Sequence, residues 1–225
     1  KALKQVLSQL KSVSTDRIFV GNGSDEAIDL CFRLFCEPGE DNVVAIAPSY
    51  GMYGVAAAVN HVELREVPLR EDFSLPVEEL LAACDAHTRL LWVCSPNNPS
   101  GVVYTRQTLT ALGALLEKKA AVYGHPIYLI SDEPYRELAY GVEVPFVPAI
   151  YRDTIVCYSY SKSLSLPGER IGYVYVPSGA ADGKALYAAV AGAARGAGHV
   201  CAPSLMQKVI ARCARLRPDL ESYDR

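Results

Sequence analysis

A lysine and an arginine stand eight residues apart in SYSKSLSLPGERIGY (159–173), a segment rich in small and hydroxyl-bearing residues. Lys162 directly follows a strand-like stretch, and Arg170 ends the polar part of the segment. A lysine amine in such a place can act as a nucleophile toward a carbonyl. Ser159 and Lys162 also match the Ser-x-x-Lys of penicillin-recognising enzymes, but neither S-D-N nor K-T-G occurs in the chain, which argues against acyl transfer.

A glycine-containing turn, GNGSDE (21–26), lies between a predicted strand and a predicted helix. Free backbone N–H groups and the positive end of a helix suit a phosphate at such a turn. The alternative is a simple turn in which Ser24 or Asp25 is the N-cap of the helix. A dinucleotide-binding fingerprint is disfavoured because Glu26 replaces its third glycine.

Two further polar segments follow apolar strands. SPNNPSG (95–101) is typical of a tight turn whose two amides, Asn97 and Asn98, point outward. In SDEPY (131–135) a carboxylate, Asp132, and a phenol, Tyr135, leave the end of a strand together. Such an acid is commonly an N-cap or solvated. An alternative role for Asp132 is to face the nitrogen of a pyridine ring and keep that nitrogen protonated, which makes the ring an electron sink.

The elements that must position these residues alternate between strands and helices. The predicted strands are 17–20, 43–47, 61–69, 89–95, 127–131, 154–161 and 171–176. Helices are predicted between them, and an alanine-rich helix broken near Pro203 is predicted from Ala185 to Arg215. This order predicts one α/β domain over residues 1–225, a three-layer sandwich with a mostly parallel central sheet. Ligands of such sheets bind at the carboxyl ends of the strands, where the polar segments lie.

Composition favours a small-molecule partner. The 225-residue chain has a net charge of -3 without a basic block, so neither a nucleic acid nor a membrane surface is expected as a partner. The seven cysteines form no C-x-x-C pair, and we expect reduced core residues of a cytoplasmic protein. The four histidines lack metal-ligand spacing, so no metal site is expected.

Taken in order, the four segments resemble the class I/II aminotransferases, which are pyridoxal 5′-phosphate (PLP) enzymes of fold type I. The resemblance covers nearly the whole chain. It implies that Lys162 holds the cofactor as a Schiff base, that Asp132 pairs with the pyridine nitrogen, and that Tyr135 assists catalysis. The resemblance assigns cofactor binding to Ser24, Asp25, Tyr50, Asn98, Asp132, Tyr135, Ser159, Lys162 and Arg170.

The resemblance has two parts that differ in substrate. Up to Gly101 the sequence is most similar to histidinol-phosphate aminotransferases, and after it to the aspartate and aromatic aminotransferases. The implied activity is transfer of an amino group between an amino acid, or an amine like histidinol phosphate, and a 2-oxo acid. A PLP-dependent carbon–sulfur lyase and a non-catalytic PLP-binding fragment are the alternatives.

The resemblance also implies parts that this chain does not contain. The N-terminal arm and the C-terminal small domain of the family are expected to be absent, and LRPDLESYDR (216–225) ends the chain in polar sequence. We therefore expect a PLP-binding large domain that transaminates weakly or not at all alone. The full-length protein is expected to be a homodimer.

Overall fold

The computed structural model describes residues 1–214, within which seven strands form one sheet in the order β1-β7-β6-β5-β4-β2-β3. The strands are β1 (Ile18–Gly21), β2 (Asn42–Ala47), β3 (Glu63–Pro68), β4 (Thr88–Cys94), β5 (Tyr128–Asp132), β6 (Thr154–Ser159) and β7 (Gly172–Tyr175). Neighbouring strands run parallel except at β7, which is antiparallel to both β1 and β6. The predicted α/β fold with a mostly parallel sheet is confirmed.

Helices connect most of these strands. Those in the described part of the chain are α1 (Ala2–Lys11), α2 (Ser24–Phe35), α3 (Met52–Val59), α4 (Val77–Ala82), α5 (Arg106–Tyr123), α6 (Tyr160–Ser163), α7 (Gly183–Gly196) and α8 (Ser204–Cys213). The predicted break near Pro203 is present, since α8 begins directly after this residue. Arg215 and the polar end of the chain (216–225) lie outside the described residues.

The core has two layers because both faces of the sheet are covered. On one face, Leu90 and Trp92 of β4 pack in a cluster with Phe32 of α2. On the other face, Leu91 of β4 packs in a cluster with Leu112 of α5. Since successive side chains of a strand point to opposite faces, a strand buried on both sides is apolar throughout. This explains the uninterrupted apolar run of β4.

A third cluster packs α1 and α8 against β1 and β7. Leu3 and Leu7 of α1 and Ile210 of α8 are buried together with Ile18 and Tyr173. This packing explains the amphipathic pattern at the start of the chain, because one side of α1 covers the sheet and the other is exposed.

The direction of β7 determines which residues meet at the edge of the sheet. Gly172, its first residue, lies beside Gly21 and Ser159, the last residues of β1 and β6. The polar segment that precedes β7 therefore reaches the same edge as the segments that follow the parallel strands. A Cβ at Gly172 would lie 2.3 Å from the backbone oxygen of Tyr158 and 3.0 Å from Gly23, so this corner has no space for a side chain.

The start of α2 differs from the sequence expectation. The prediction of Ser24 or Asp25 as N-cap is wrong, because Gly23 is the N-cap and both residues lie in the first turn of the helix. Gly23 has φ of 95°, in the region that favours glycine. A Cβ there would lie 2.9 Å from Nη2 of Arg170, so a side chain at this position would also have to displace the end of the Arg170 side chain.

Candidate active site at the carboxyl edge of the sheet

The polar segments surround one cavity of about 160 Å³ at the carboxyl ends of β4, β5 and β6. All nine residues predicted for the site line it: Ser24, Asp25, Tyr50, Asn98, Asp132, Tyr135, Ser159, Lys162 and Arg170. Four further residues, which sequence reasoning did not select, also line it: Cys94, Pro134, Ser161 and Pro167. The fold therefore brings residues from five separate segments to one place.

Asp132, the last residue of β5, is the most deeply buried acid of the cavity wall, with 1% of its surface exposed. Its Oδ2 accepts a hydrogen bond of 2.7 Å from the Tyr53 hydroxyl, while its Oδ1 is buried without a partner. The pKa of Asp132 is raised to about 7, mainly by burial and in part by the charges of Asp25 and Glu133, while the hydrogen bond from Tyr53 opposes the rise. A cationic or N–H partner at Oδ1 would offset the cost of burying this carboxylate.

Tyr53 is a site residue that sequence reasoning missed. It lies on α3, with its ring stacked on Trp92 at a centroid distance of 4.7 Å and edge-on to Tyr50 at 6.0 Å. Burial raises the pKa of Tyr53 well above its usual value, so its hydroxyl remains a neutral donor. The available signal was a tyrosine on an otherwise apolar helix, because a buried hydroxyl needs a hydrogen-bond partner.

A second group of residues lies around Lys162. The Asn98 side chain donates a hydrogen bond of 3.0 Å from Nδ2 to the Tyr135 hydroxyl. The Lys162 amine lies 5.7 Å from the centre of the Tyr135 ring, within the range of a cation–π contact. Burial raises the pKa of Tyr135, so the phenol keeps its proton. An amine, a phenol and an amide are thus grouped on one side of the cavity.

The two amides of the turn after β4 have different roles. Asn98 lines the cavity, but Asn97 is buried, so the expectation that both amides point outward is wrong for Asn97. The Asn97 oxygen accepts hydrogen bonds from the backbone N–H and the hydroxyl of Ser100, at 3.1 and 2.7 Å. Asn97 therefore stabilises the turn that presents Asn98.

The opposite side of the cavity is cationic and more exposed. The Arg170 guanidinium forms an ion pair of 3.0 Å with Asp25, and it donates a hydrogen bond of 2.8 Å to the Pro167 oxygen. The Tyr50 hydroxyl donates to the other oxygen of Asp25 at 3.0 Å. These contacts hold the guanidinium beside the first turn of α2, whose N–H groups have no partner within the helix. An anion is well placed at such a site.

Two serines complete this side of the cavity. Ser159 is the N-cap of α6, where its hydroxyl accepts a hydrogen bond of 3.2 Å from the backbone N–H of Ser161. The two serine hydroxyls are 2.7 Å apart. Lys162 is the third residue of this short helix, so the same turn presents both the hydroxyl groups and the amine.

Glu26, which replaces the third glycine of a dinucleotide-binding turn, closes the loop before α2. Its Oε2 accepts hydrogen bonds from the backbone N–H and the side-chain amide of Asn22. The carboxylate is 8% exposed and lies behind the turn, away from the residues that line the cavity. The replacement therefore has a local structural role.

Residues 1–214 do not present the features of a metal site or of a membrane-spanning helix. No group of three or more His, Cys, Asp or Glu side chains there could hold a metal ion. No helix in the same residues combines the length and the apolar character needed to cross a bilayer. The seven cysteines are free thiols, of which five are buried, whereas Cys201 is exposed and Cys213 is partly exposed. The predicted core location is thus wrong for Cys201.

Comparison with known proteins identifies the class to which this fold and site belong. The family described as aminotransferase class I and II matches residues 1–222. The chain belongs to this family. Its members use pyridoxal 5′-phosphate.

Curated relatives are similar over most of this chain. A histidinol-phosphate aminotransferase from Bacteroides thetaiotaomicron is 45% identical over 176 residues, which are 77% of this chain and 47% of that protein. One from Bacteroides fragilis is 41% identical over 179 residues, which are 79% of this chain and 49% of that protein. Both matched stretches are longer than the segment up to Gly101. The similarity to histidinol-phosphate aminotransferases therefore extends beyond Gly101. The chain spans about half the length of these relatives.

Solved structures share the fold over nearly all of the chain. An aminotransferase from Eubacterium rectale is 44% identical with a TM-score of 0.93, and the match covers 99% of this chain and 57% of that one. Aspartate aminotransferase from Thermus thermophilus in the presence of maleate is 25% identical with a TM-score of 0.85, over 99% and 57% of the chains. The match to the Eubacterium rectale aminotransferase therefore includes residues on both sides of Gly101.

Proposed function

We propose that the protein is a PLP-dependent aminotransferase that transfers an amino group between an amino donor and a 2-oxo acid, with Lys162 holding the cofactor as a Schiff base. The observation that carries the proposal is the buried, unpartnered Oδ1 of Asp132 in the wall of the cavity that also holds Lys162. A protonated pyridine nitrogen would supply the missing partner.

The chemical groups around the cavity fit those of PLP. Asp132 would hold the ring nitrogen, Asn98 and Tyr135 the phenolic oxygen, and the Tyr50 ring would stack on the cofactor. The phosphate would be bound by the backbone N–H groups of Ser24 and Asp25, together with the side chains of Ser159 and Arg170. When bound, PLP supplies an electron sink for negative charge that develops at a substrate carbon.

Lys162 would have two tasks in the reaction. As a primary amine it attaches the cofactor, and once substrate has displaced it, the same amine can take a proton from the substrate Cα. The nearby Tyr135 and Asn98 side chains restrict where this amine can go. One residue would therefore serve as attachment point and as proton carrier.

Arg170 would share its guanidinium between Asp25 and a phosphate. Nη2 contacts Asp25 and Nη1 contacts the Pro167 oxygen, so the side chain is already oriented toward the cavity. The side chains of the ion pair are 42% and 37% exposed, so rearranging it has a small free-energy cost. A planar guanidinium can bind two oxygens at once, which suits a phosphate.

We propose further that residues 1–225 are the PLP-binding large domain of a protein with an additional N-terminal arm and C-terminal small domain. Small-molecule amines and 2-oxo acids are the proposed substrates, with an amine like histidinol phosphate as the first donor to test. This choice is supported by the relatives named as histidinol-phosphate aminotransferases. For the full-length protein we propose a cytoplasmic homodimer.

The proposal is tested by labelling the lysine. The purified protein is mixed with PLP, the visible absorbance is recorded, and the adduct is reduced with borohydride and mapped by peptide mass analysis. We expect the label on Lys162, its loss in Lys162→Ala, and its retention in the control Lys118→Ala, which changes an exposed lysine on α5. A label on another lysine would refute the proposed role of Lys162.

A second assay separates the aminotransferase from the carbon–sulfur lyase. The full-length protein is given histidinol phosphate, other amino donors or cystathionine, each with and without a 2-oxo acid. We expect repeated turnover only when the 2-oxo acid is present, because each full cycle of transamination needs an acceptor for the amino group. Release of pyruvate from cystathionine without an acceptor would support the lyase.

A further inference from the structure

The helix that carries Lys162 is too short to be stable by itself. α6 contains four residues, fewer than an isolated helix needs for stability in water. At its start it is held by the Ser159 cap and by a backbone hydrogen bond of 3.1 Å from Tyr160 to Ile171. The position of the Lys162 amine therefore depends on what holds the other end of the helix.

Ser163, the last residue of α6, is held by a chain of hydrogen bonds that is buried at Ser163 and Tyr158 and partly exposed at Glu137. Its hydroxyl lies 2.7 Å from the Tyr158 hydroxyl, which lies 2.7 Å from Oε2 of Glu137. An ionised carboxylate only accepts hydrogen bonds, and a phenol has one proton to donate. The order must then be Ser163 to Tyr158 to Glu137, with each hydroxyl donating in one direction.

Glu137 connects this chain of hydrogen bonds to the segment that carries Tyr135. It belongs to a 3₁₀ turn (Arg136–Leu138) that directly follows Tyr135. The turn is held by Arg136, whose guanidinium contacts Glu133 at 2.6 Å and the backbone oxygens of Val144 and Pro145 at 2.7 Å each. Glu137 is therefore attached to a well-anchored segment.

The ring of Tyr158 is also fixed in place. It stacks on Tyr173 at a centroid distance of 4.9 Å and contacts Tyr160 edge-on at 5.1 Å. The Lys11 amine of α1 lies 3.8 Å from Glu137 and 5.9 Å from the centre of the Tyr158 ring. Neither partner of a hydrogen bond between groups held in this way can move without breaking other contacts. The bond therefore fixes the position of one group relative to the other.

We propose that Ser163, Tyr158 and Glu137 are positioning residues that hold the Lys162 amine at a set distance from the Tyr135 phenol. None of the three is among the residues that line the cavity, so they act through their neighbours. This inference rests on the proposed role of Lys162 as the lysine that binds PLP. It adds that the geometry of this amine is controlled from outside the cavity.

The test compares two tyrosines of the same buried cluster in the full-length protein loaded with PLP. Tyr158→Phe removes the central hydroxyl of the chain, whereas Tyr160→Phe removes a neighbouring hydroxyl outside it. The readouts are the dissociation constant of PLP and the pH midpoint of the visible absorbance of the bound cofactor. A role limited to packing would not move the absorbance midpoint.

We expect Tyr158→Phe to weaken PLP binding by about tenfold, the effect of losing one or two buried hydrogen bonds. The absorbance midpoint should shift toward that of PLP with a free alkylamine in the same buffer. Tyr160→Phe should leave both readouts as in the wild type. Ser163→Ala, a smaller change at the other end of the chain, should behave like Tyr158→Phe and replaces it if that variant does not fold.

The outcomes separate the two proposals. If the wild-type protein is not labelled at Lys162, the proposed function fails. If it is labelled, but Tyr158→Phe and Ser163→Ala retain the wild-type affinity and midpoint, the positioning role is refuted and the proposed function stands. An equal shift in Tyr160→Phe would also refute it, because the effect would then come from the cluster in general.

Discussion

Two aspartates at opposite ends of the sheet have their pKa values shifted in opposite directions. Asp132, at the carboxyl end of β5, has one hydrogen-bond donor and one buried oxygen without a partner, and its pKa is raised to about 7, first by burial. Asp85, just before β4, accepts hydrogen bonds from Asn42 at 2.9 Å and Arg65 at 2.7 Å. Burial raises the pKa of Asp85, but these hydrogen bonds outweigh it and hold the pKa well below the usual value.

The difference separates a structural acid, Asp85, from an acid that we propose to be functional, Asp132. Asp85 joins a closed network, in which Thr88 also donates to the Asn42 oxygen at 2.7 Å, and each group has a partner within the protein. Asp132 is left incomplete at the wall of a cavity. Since burying an unpartnered carboxylate destabilises a fold, its presence suggests a ligand that supplies the partner.

The largest expected effect is on catalysis. Asp132→Asn keeps the shape of the side chain but removes the charge that would hold a protonated ring nitrogen. We expect turnover by the full-length protein to fall about 10²–10³-fold, as when one preorganised electrostatic contact is removed. The control Asp85→Asn should retain wild-type turnover. Turnover of Asp132→Asn equal to that of the wild type would contradict the role of Asp132.

The next effect is the dependence of stability on pH in the cofactor-free protein. The folded pKa of Asp132 is raised, so between 3.8 and about 7 the folded state binds more protons than the unfolded state. Its contribution to the free energy of unfolding must then decrease as pH rises through this window, by on the order of 4 kcal/mol. Asp85 has the opposite sign, because its contribution is present above 3.8 and is lost as pH falls below it.

Urea unfolding between pH 3.8 and about 7 measures the contribution of Asp132, and urea unfolding below pH 3.8 measures that of Asp85. Asp132→Asn should remove the decrease in stability toward neutral pH, while Asp85→Asn should leave that decrease in place. A decrease of the same size in Asp132→Asn and the wild type would show that another group is responsible.

A smaller effect concerns the partners of the acids in the cavity. Tyr53→Phe leaves Asp132 without its hydrogen-bond donor, and we expect the free energy of unfolding near neutral pH to fall by about 1–3 kcal/mol. Tyr50→Phe removes the similar hydrogen bond to the more exposed Asp25, which should cost under about 1 kcal/mol. Both values come from urea unfolding of the cofactor-free protein. Equal losses would mean that burial does not distinguish the two hydrogen bonds.

An effect of similarly small size is expected at the structural acid, Asp85. Asp85→Asn weakens hydrogen bonds that are partly open to solvent, since 43% of the Asp85 side chain is exposed. We expect the free energy of unfolding to fall by about 1 kcal/mol at neutral pH. The measurement is again urea unfolding, with Asp72→Asn on an exposed loop as the control. A loss no greater than that of the control would remove the structural role assigned to Asp85.

Much of the candidate site could be predicted from the sequence because its residues lie in short segments that follow strands. All nine predicted residues line the cavity, including Lys162 and Arg170. Tyr53 was missed because its spacing along α3 does not reveal that its hydroxyl meets a carboxylate on β5. The alternative with Ser24 or Asp25 as the N-cap of α2 was wrong because local preference favours Ser or Asp at an N-cap, whereas the positive φ of this position favours Gly23.

The sequence by itself determined the alternation of strands and helices, the mostly parallel sheet and the polar segments at the strand ends. These depend on local apolar patterns, which the chain order preserves. Only the tertiary structure decided that β7 runs antiparallel, which brings Arg170 to the edge where Lys162 lies. It also decided which acid has all its partners and which does not, because burial and hydrogen bonding arise from residues distant in sequence.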